Sequence, residues 1–358
     1  SYAENRPLRE EMWKAYSHRA DSGVYDNAPN VLKIVQLRHE RARLLGYETH
    51  AHYTLERRMA EKPETVLGFL HSLKDKYRAG AIKDLEDIRV LAKADGVNDL
   101  KPWDVGYYAE KLRAKTYAFS AEDLRPYFPI DKVLTGTFLH FEKLFGLKFT
   151  AATDLPVWHK DVTAYDVTDT ETGAFVGTLY ADFYPREGKK PGAWMTSYRD
   201  QGLFEGHIER PVIAIVCNFT KPTKDKPSLL THDEVLTLFH ELGHATHGLL
   251  SNGTYMSQNG TNVLWDFVEL PSQVQENWLY EPETLAMVAG HYQTHAPIPD
   301  ELIAKLRASK NFLSGWGGLR QMGMSILDMT WHMTDPATIT DVVAFEDAAM
   351  KDTMMFPR

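Results

Sequence analysis

A single cysteine, Cys217, occurs in the 358 residues, so an internal disulfide is excluded. It falls within the apolar run Pro211 to Phe219, where a buried, inert thiol is expected. Long hydrophobic stretches are absent too. No segment approaches ~18 consecutive apolar residues, and the polar residues Ser1 to Glu10 have no signal-peptide character. Neither a membrane span nor a membrane partner is expected, and the same absences point to a soluble, reducing, cytoplasmic setting. The chain also has no long basic run or RNA-module signature. Its 40 Lys and Arg against 49 Asp and Glu leave a net charge of -9, which argues against nucleic acid as a partner.

With 43% hydrophobic and 25% charged residues, the composition is that of an ordinary globular chain, long enough for two or three domains. From Glu4 to Phe145 the pattern is helical. Val66, Leu70, Leu73, Tyr77, Ala81, Leu85, Ile88 and Leu91 recur every three or four residues and predict one long amphipathic helix. Pro63 suits its first turn, and Gly96 suits a C-terminal cap. Further helices are expected near 29–46, 101–117 and 131–145, the last ended by Gly146. Between about 160 and 219, alternating and β-branched runs predict a small sheet. Helices return from Thr231 onward. Gly315, Gly317 and Gly318 miss the G-x-G-x-x-G spacing because Arg320 stands in the third glycine's place, so close helix packing is expected there rather than a nucleotide loop. The fold class is mainly α. The expected organisation is a helical region over 1–150 and a second over 151–358, the latter holding the sheet (160–219), metal-bearing helices (231–280) and a helical C-terminal part.

Chemistry concentrates after Thr231-His-Asp-Glu234, which reads as a capping box opening a helix that runs to Asn252-Gly253. Inside it lies His240-Glu241-Leu242-Gly243-His244. Histidines four residues apart share one helix face, one turn from each other, and can reach one zinc ion. Glu241 is placed to act as general base on a water beside that ion. The His-Glu-x-x-His pattern arises by chance about 0.04 times in a chain of this composition. His247 lies about 10 Å further along the helix than His240 and is read as packing or outer-shell support. Leu250 occupies the place of the third histidine of the metzincin spacing. A catalytic zinc takes three protein ligands, and Asp266, Glu269 and Glu276 in the next segment are all open candidates for the third.

The strings Leu238 to Gly248 and Asp266-Phe-Val-Glu-Leu-Pro-Ser-Gln273, with Glu276-Asn-Trp278, resemble the M3 family of zinc metallopeptidases. Tyr180 to Gly188, Gly192-Ala-Trp-Met195, Arg210 to Ile213 and Val216 to Phe219 resemble it as well. The resemblance implies a zincin-like helical fold, one zinc per chain and Glu269 as the third ligand. It also implies short unstructured peptides as substrates, because the family's helical lobes form a channel that excludes folded proteins. Family members continue beyond a stretch like Phe356-Pro-Arg358 into a segment with a histidine and several tyrosines. This chain is therefore expected to be the middle of such an enzyme, with metal ligands and base present. The alternative expectation is a zinc-binding but inactive portion that needs a partner chain or a complementary C-terminal segment.

Weaker features complete the expectation. Gly192, Ala193 and Trp194 can form an edge strand that pairs with an extended peptide. Asp266 and Glu276 can hydrogen-bond the far nitrogens of the ligand histidines. Pro271 can kink the chain and aim Glu269. His291 and His295 repeat the four-residue spacing without an adjacent acid and are expected to be structural.

Overall fold

The structure, a computed structural model, describes residues 3–118 and 120–356. Ser1 at one end, and Pro357 and Arg358 of the Phe356-Pro-Arg358 stretch at the other, lie outside the described residues. Along the chain run helices α1 (Arg6–Ser17), α2 (Ala28–Leu44), α3 (His50–Leu55), α4 (Pro63–Ala94), α5 (Pro102–Tyr117) and α6 (Ile130–Phe145). Strands follow: β1 (Leu147–Ala151), β2 (Val162–Asp169), β3 (Phe175–Asp182), β4 (Trp194–Arg199), β5 (Gly202–Phe204), β6 (His207–Glu209) and β7 (Val212–Val216). Helices α7 (His232–Leu249), α8 (Leu270–Glu276), α9 (Pro282–Val288), α10 (Asp300–Ser309), α11 (Ser314–Met333) and α12 (Val342–Met350) complete the chain. Among the described residues no helix is long and apolar enough to cross a membrane.

Two compact units divide the chain at 118/119 and 308/309, not at the expected 150/151. The reason is packing between residues far apart in sequence. In the first unit α11 returns to lie on α4. A Cβ placed on Gly315 would stand 2.4 Å from the carbonyl carbon of Gly80, and one on Gly318 would stand 2.4 Å from the ring of Tyr77. The glycine run therefore marks the closest approach of two helices, as expected, and that approach is what draws the C-terminal helices to the N-terminal ones. Leu85, Ile88, Ala92 and Tyr108 form a core there with Trp316 and Phe356 packed against it. Pro63 opens α4, and Gly96, at φ +84°, follows its end.

In the second unit α6 packs on α9 so tightly that a Cβ on Gly136 would meet the Met287 carbonyl oxygen at 2.2 Å. Gly146, at φ +69°, ends α6 and turns the chain into β1, a strand outside the expected 160–219 window. The sheet order is β1-β2-β3-β7-β4. All its pairings are antiparallel except β3 with β7, so β4 lies at one edge. Helix α7 opens on the expected capping box: Thr231 Oγ1 accepts from the Glu234 N–H at 3.1 Å, and Glu234 Oε2 accepts from the Thr231 N–H at 2.7 Å. It ends at Leu249, short of Asn252. Gly248 lies against Ile213 of β7 and Met195 of β4, which seats α7 on the sheet next to its edge strand.

Gly315→Ala should cost about 1–3 kcal/mol, the usual penalty for forcing a methyl into closed packing. Gly317 has open space around the same atom, so Gly317→Ala should instead gain about 0.5–1 kcal/mol from helix entropy. Urea melts of the two variants check the opposite signs.

Candidate metal centre

Helical spacing puts the imidazoles of His240 and His244 on one face of α7, with ring centroids 4.9 Å apart. The third group comes from Glu269, which caps α8. Its Oε2 lies 3.0 Å from His240 Nε2 and 3.1 Å from His244 Nε2. Among the described residues these three form the one group of His, Cys, Asp or Glu able to hold a metal ion. Ligands held at 2.0–2.1 Å in a tetrahedron stand about 3.3 Å apart, so the spacing fits zinc.

The hydrogen bonds of His240 also fit a cation at this place. His240 Nδ1 lies 2.7 Å from Glu276 Oε1. A carboxylate accepts, so Nδ1 carries the proton, and a neutral His240 then turns the lone pair of Nε2 toward the Glu269 oxygen. Two acceptors facing each other at 3.0 Å repel, and a cation between them removes the conflict. Glu276 thus sits where outer-shell support of His240 was expected. Asp266 does not supply the same to His244: that ring's Nδ1 is buried with no hydrogen-bond partner, while Asp266 is exposed in the turn before Glu269.

Close backbone approach makes this convergence possible. A Cβ on Gly243 would lie 2.6 Å from Ser272 Cα, so the glycine inside the histidine motif lets α8 lie directly on α7. Ser272, fully buried, donates its hydroxyl to Glu269 O at 2.9 Å and to Glu269 Oε2 at 3.1 Å. Pro271 is within the first turn of α8 and starts that helix. The expected kink is absent, because a first-turn proline gives up no intrahelical hydrogen bond. The carboxylate is aimed by Ser272 instead.

Glu241 follows His240 and is 5% exposed, with Oε2 unpartnered. Burial, with the nearby Glu269 charge adding to it and His240 opposing it, pushes its carboxyl up to about 7 in the metal-free chain. Ala193, Trp194 and Met195 of the β4 edge share with His240, Glu241, His244 and Glu269 a cleft of about 460 Å³, as do Val263, Trp265 and Val268. Gly192 lies just outside this lining. The residues that sequence reasoning left without a role here are Thr261, Val263, Trp265 and Val268. A signal existed for Trp265, which neighbours the Glu269 string, but nothing in the sequence aims it at the metal helix. His247 joins neither group: it lines a separate cavity with Thr246, Ser251 and Gln275. His291 Nδ1 accepts from the backbone N–H groups of Gln293 and Thr294, a structural role.

A capped helix bearing two histidines, seated on a sheet beside its edge strand and met by a glutamate from the next helix, defines a zincin-like fold. The chain belongs to peptidase family M3, whose model matches residues 1–356. It is 43% identical over 340 residues to oligopeptidase A of Salmonella typhimurium, covering 93% of this chain and 50% of that protein. Dipeptidyl carboxypeptidase of Escherichia coli is 36% identical over 350 residues, covering 97% and 51%. Saccharolysin of Saccharomyces cerevisiae is 38% identical over 325 residues, covering 86% and 46%. The chain thus spans about half the length of the curated relatives it matches.

Gly243→Ala should weaken zinc binding by about 10–100-fold, the scale for disturbing a ligand's support, although alanine is the better helix former. Competition with a chelator measures this. In the metal-free chain the raised Glu241 carboxyl contributes stability that is complete below about pH 4.5, its ordinary value, and is lost as pH rises through about 7. Glu241→Gln should therefore melt higher than the parent at pH 8 and match it at pH 4, which thermal unfolding in EDTA would show.

Proposed function

We propose that this chain carries the metal ligands and general base of a zinc peptidase acting on short unstructured peptides. The observation that carries the reading is the shared cleft: Glu269 lies within hydrogen-bonding distance of both His240 and His244, Glu241 is beside them, and an unpaired strand edge borders the same space. Zinc held by those three side chains supplies a Lewis acid for a peptide carbonyl and for an attacking water. Glu241 takes the proton from that water and returns it to the leaving amine. A carboxyl near 7 in the bare site serves both steps, and a cation nearby draws it down toward the ionised form in which it accepts. The backbone of Ala193 to Met195 offers N–H and C=O groups to an extended peptide. Trp194, Val263, Trp265 and Val268 give its side chains apolar surface.

A specific observation favours a second reading. Among the described residues lining this cleft there is no arginine, lysine or tyrosine, so no cationic or phenolic side chain is at hand to stabilise the charge that develops on the carbonyl oxygen. In that reading the chain binds zinc and peptide, and turnover requires a complementary segment or partner chain to bring the donor.

The zinc-loaded chain, incubated with an unstructured peptide of about ten residues and followed by mass spectrometry, separates the two. Cleavage that disappears in Glu241→Gln while zinc content stays at one per chain supports the first reading. Bound zinc and bound peptide without cleavage support the second, and undiminished cleavage by Glu241→Gln refutes the base assignment.

A further inference from the structure

Two motifs have no part in the chemistry above: Asp182 to Lys189, which follows β3, and Cys217-Asn218, which follows β7. The structure brings them together at one end of the sheet. Lys189 Nζ is almost wholly buried, its side chain 4% exposed. It is ringed by four oxygens: Asp182 O at 3.0 Å, Asp182 Oδ1 at 2.9 Å, Tyr184 O at 2.9 Å and Cys217 O at 2.5 Å. Asp182 in turn accepts from Arg186 at 2.7 and 2.8 Å and from the Trp158 indole at 3.0 Å. Burial alone would raise its carboxyl, but donors from Arg186, Lys189 and Trp158 hold it down at about 2. Asn218 spends its side-chain amide on the same loop, donating to Lys190 O at 3.0 Å and to Gly192 O at 2.7 Å.

These bonds have a common geometric effect. The loop 183–193 leaves β3, crosses the end of β7 and enters β4, whose first residues border the metal cleft. Lys189 fastens the loop to the ends of β3 and β7, and Asn218 holds the carbonyls of Lys190 and of Gly192, the residue immediately before Ala193. A surface loop needs no buried ammonium, and a buried ammonium is costly unless fully bonded. Backbone pairing to a strand edge also requires its N–H and C=O groups to be fixed at the correct distance from the metal.

We propose that Lys189 and Asn218 are positioning residues that hold the edge strand β4 in register with the metal centre, and so set the affinity for extended peptides without touching the metal. The inference rests on the peptidase reading and deepens it. The test uses the zinc-loaded Glu241→Gln chain and a fluorescent unstructured decapeptide, with Asn218→Asp or Lys189→Met added. Asn218→Asp keeps the side chain's size and removes both donors, so it guards against a folding defect in Lys189→Met. Peptide binding should weaken about tenfold, the worth of one or two hydrogen bonds. Zinc content should stay unchanged, and so should the affinity for acetohydroxamate, which engages the metal alone.

Unaltered peptide affinity in both variants overturns the proposal, and so does a parallel loss of peptide and hydroxamate binding, which marks general damage. If the Glu241→Gln chain binds no peptide even with the loop intact, and the parent hydrolyses none, the peptidase reading itself fails and takes the positioning role with it.

Discussion

A lone pair of His240 and a carboxylate oxygen of Glu269 face each other at 3.0 Å, two acceptors that repel, and the structure around the cleft serves to keep them there. His240 and His244 are fixed by the pitch of α7, which a reciprocal cap starts at Thr231. Glu269 arrives because Gly243 lets the backbone of α8 lie where a methyl group would otherwise stand. Glu276, from the end of the same short helix, returns to hold the far side of His240. One seven-residue helix therefore delivers both a candidate ligand and the support for another. Moving it disturbs both together. A cation in this nest converts the repulsion into binding energy, and because the ligand set exists only when α7 and α8 are packed, that binding energy is also folding energy.

The same packing determines what Glu241 can do. Its neighbours on α7 point into the cleft, and its own carboxyl is buried with one oxygen unpartnered. Burial favours the protonated form, and a divalent ion held by the three candidate ligands would favour the ionised one. The two influences oppose each other. That balance suits a residue that must accept a proton and then release it, and it arises from placement on the helix beside a ligand, with no further partner needed.

The parts of the site that could be read from the sequence are those set by local rules. The i, i+4 histidines, the acid between them, the capping box, the proline and glycine at the ends of α4 and the stop at Gly146 each depend on a few neighbouring residues, and each lies where its pattern pointed. Other features depend on contacts distant in sequence. The early end of α7, the return of α11 to α4 and the strand β1 are set by what packs against them. Choosing among Asp266, Glu269 and Glu276 also lay beyond spacing, because the answer depends on how α8 approaches α7. Asp266 fails as support for His244 because it lies in an exposed turn. The string alone does not show where Pro271 stands relative to the start of the helix, and that position decides whether it kinks the chain or opens α8.

The cleft combines elements of different stiffness. Three of its walls are regular structure: α7, the cap of α8 and the edge of a five-stranded sheet. The fourth is the irregular stretch that brings Thr261, Val263 and Trp265 to the site. Groups that handle a proton or a cation must hold their places to a fraction of an ångström, and the candidates for those roles sit on α7 (His240, Glu241 and His244) or at the residue that starts α8 (Glu269). The side chains of Val263 and Trp265 act by apolar contact, which tolerates larger displacement, and they lie on the irregular one. On the proposed peptidase reading, backbone recognition by β4 is indifferent to peptide sequence, so discrimination between peptides falls to Trp194 and that fourth wall. Changes there can alter which side chains are accepted while the metal ligands and the base stay in place.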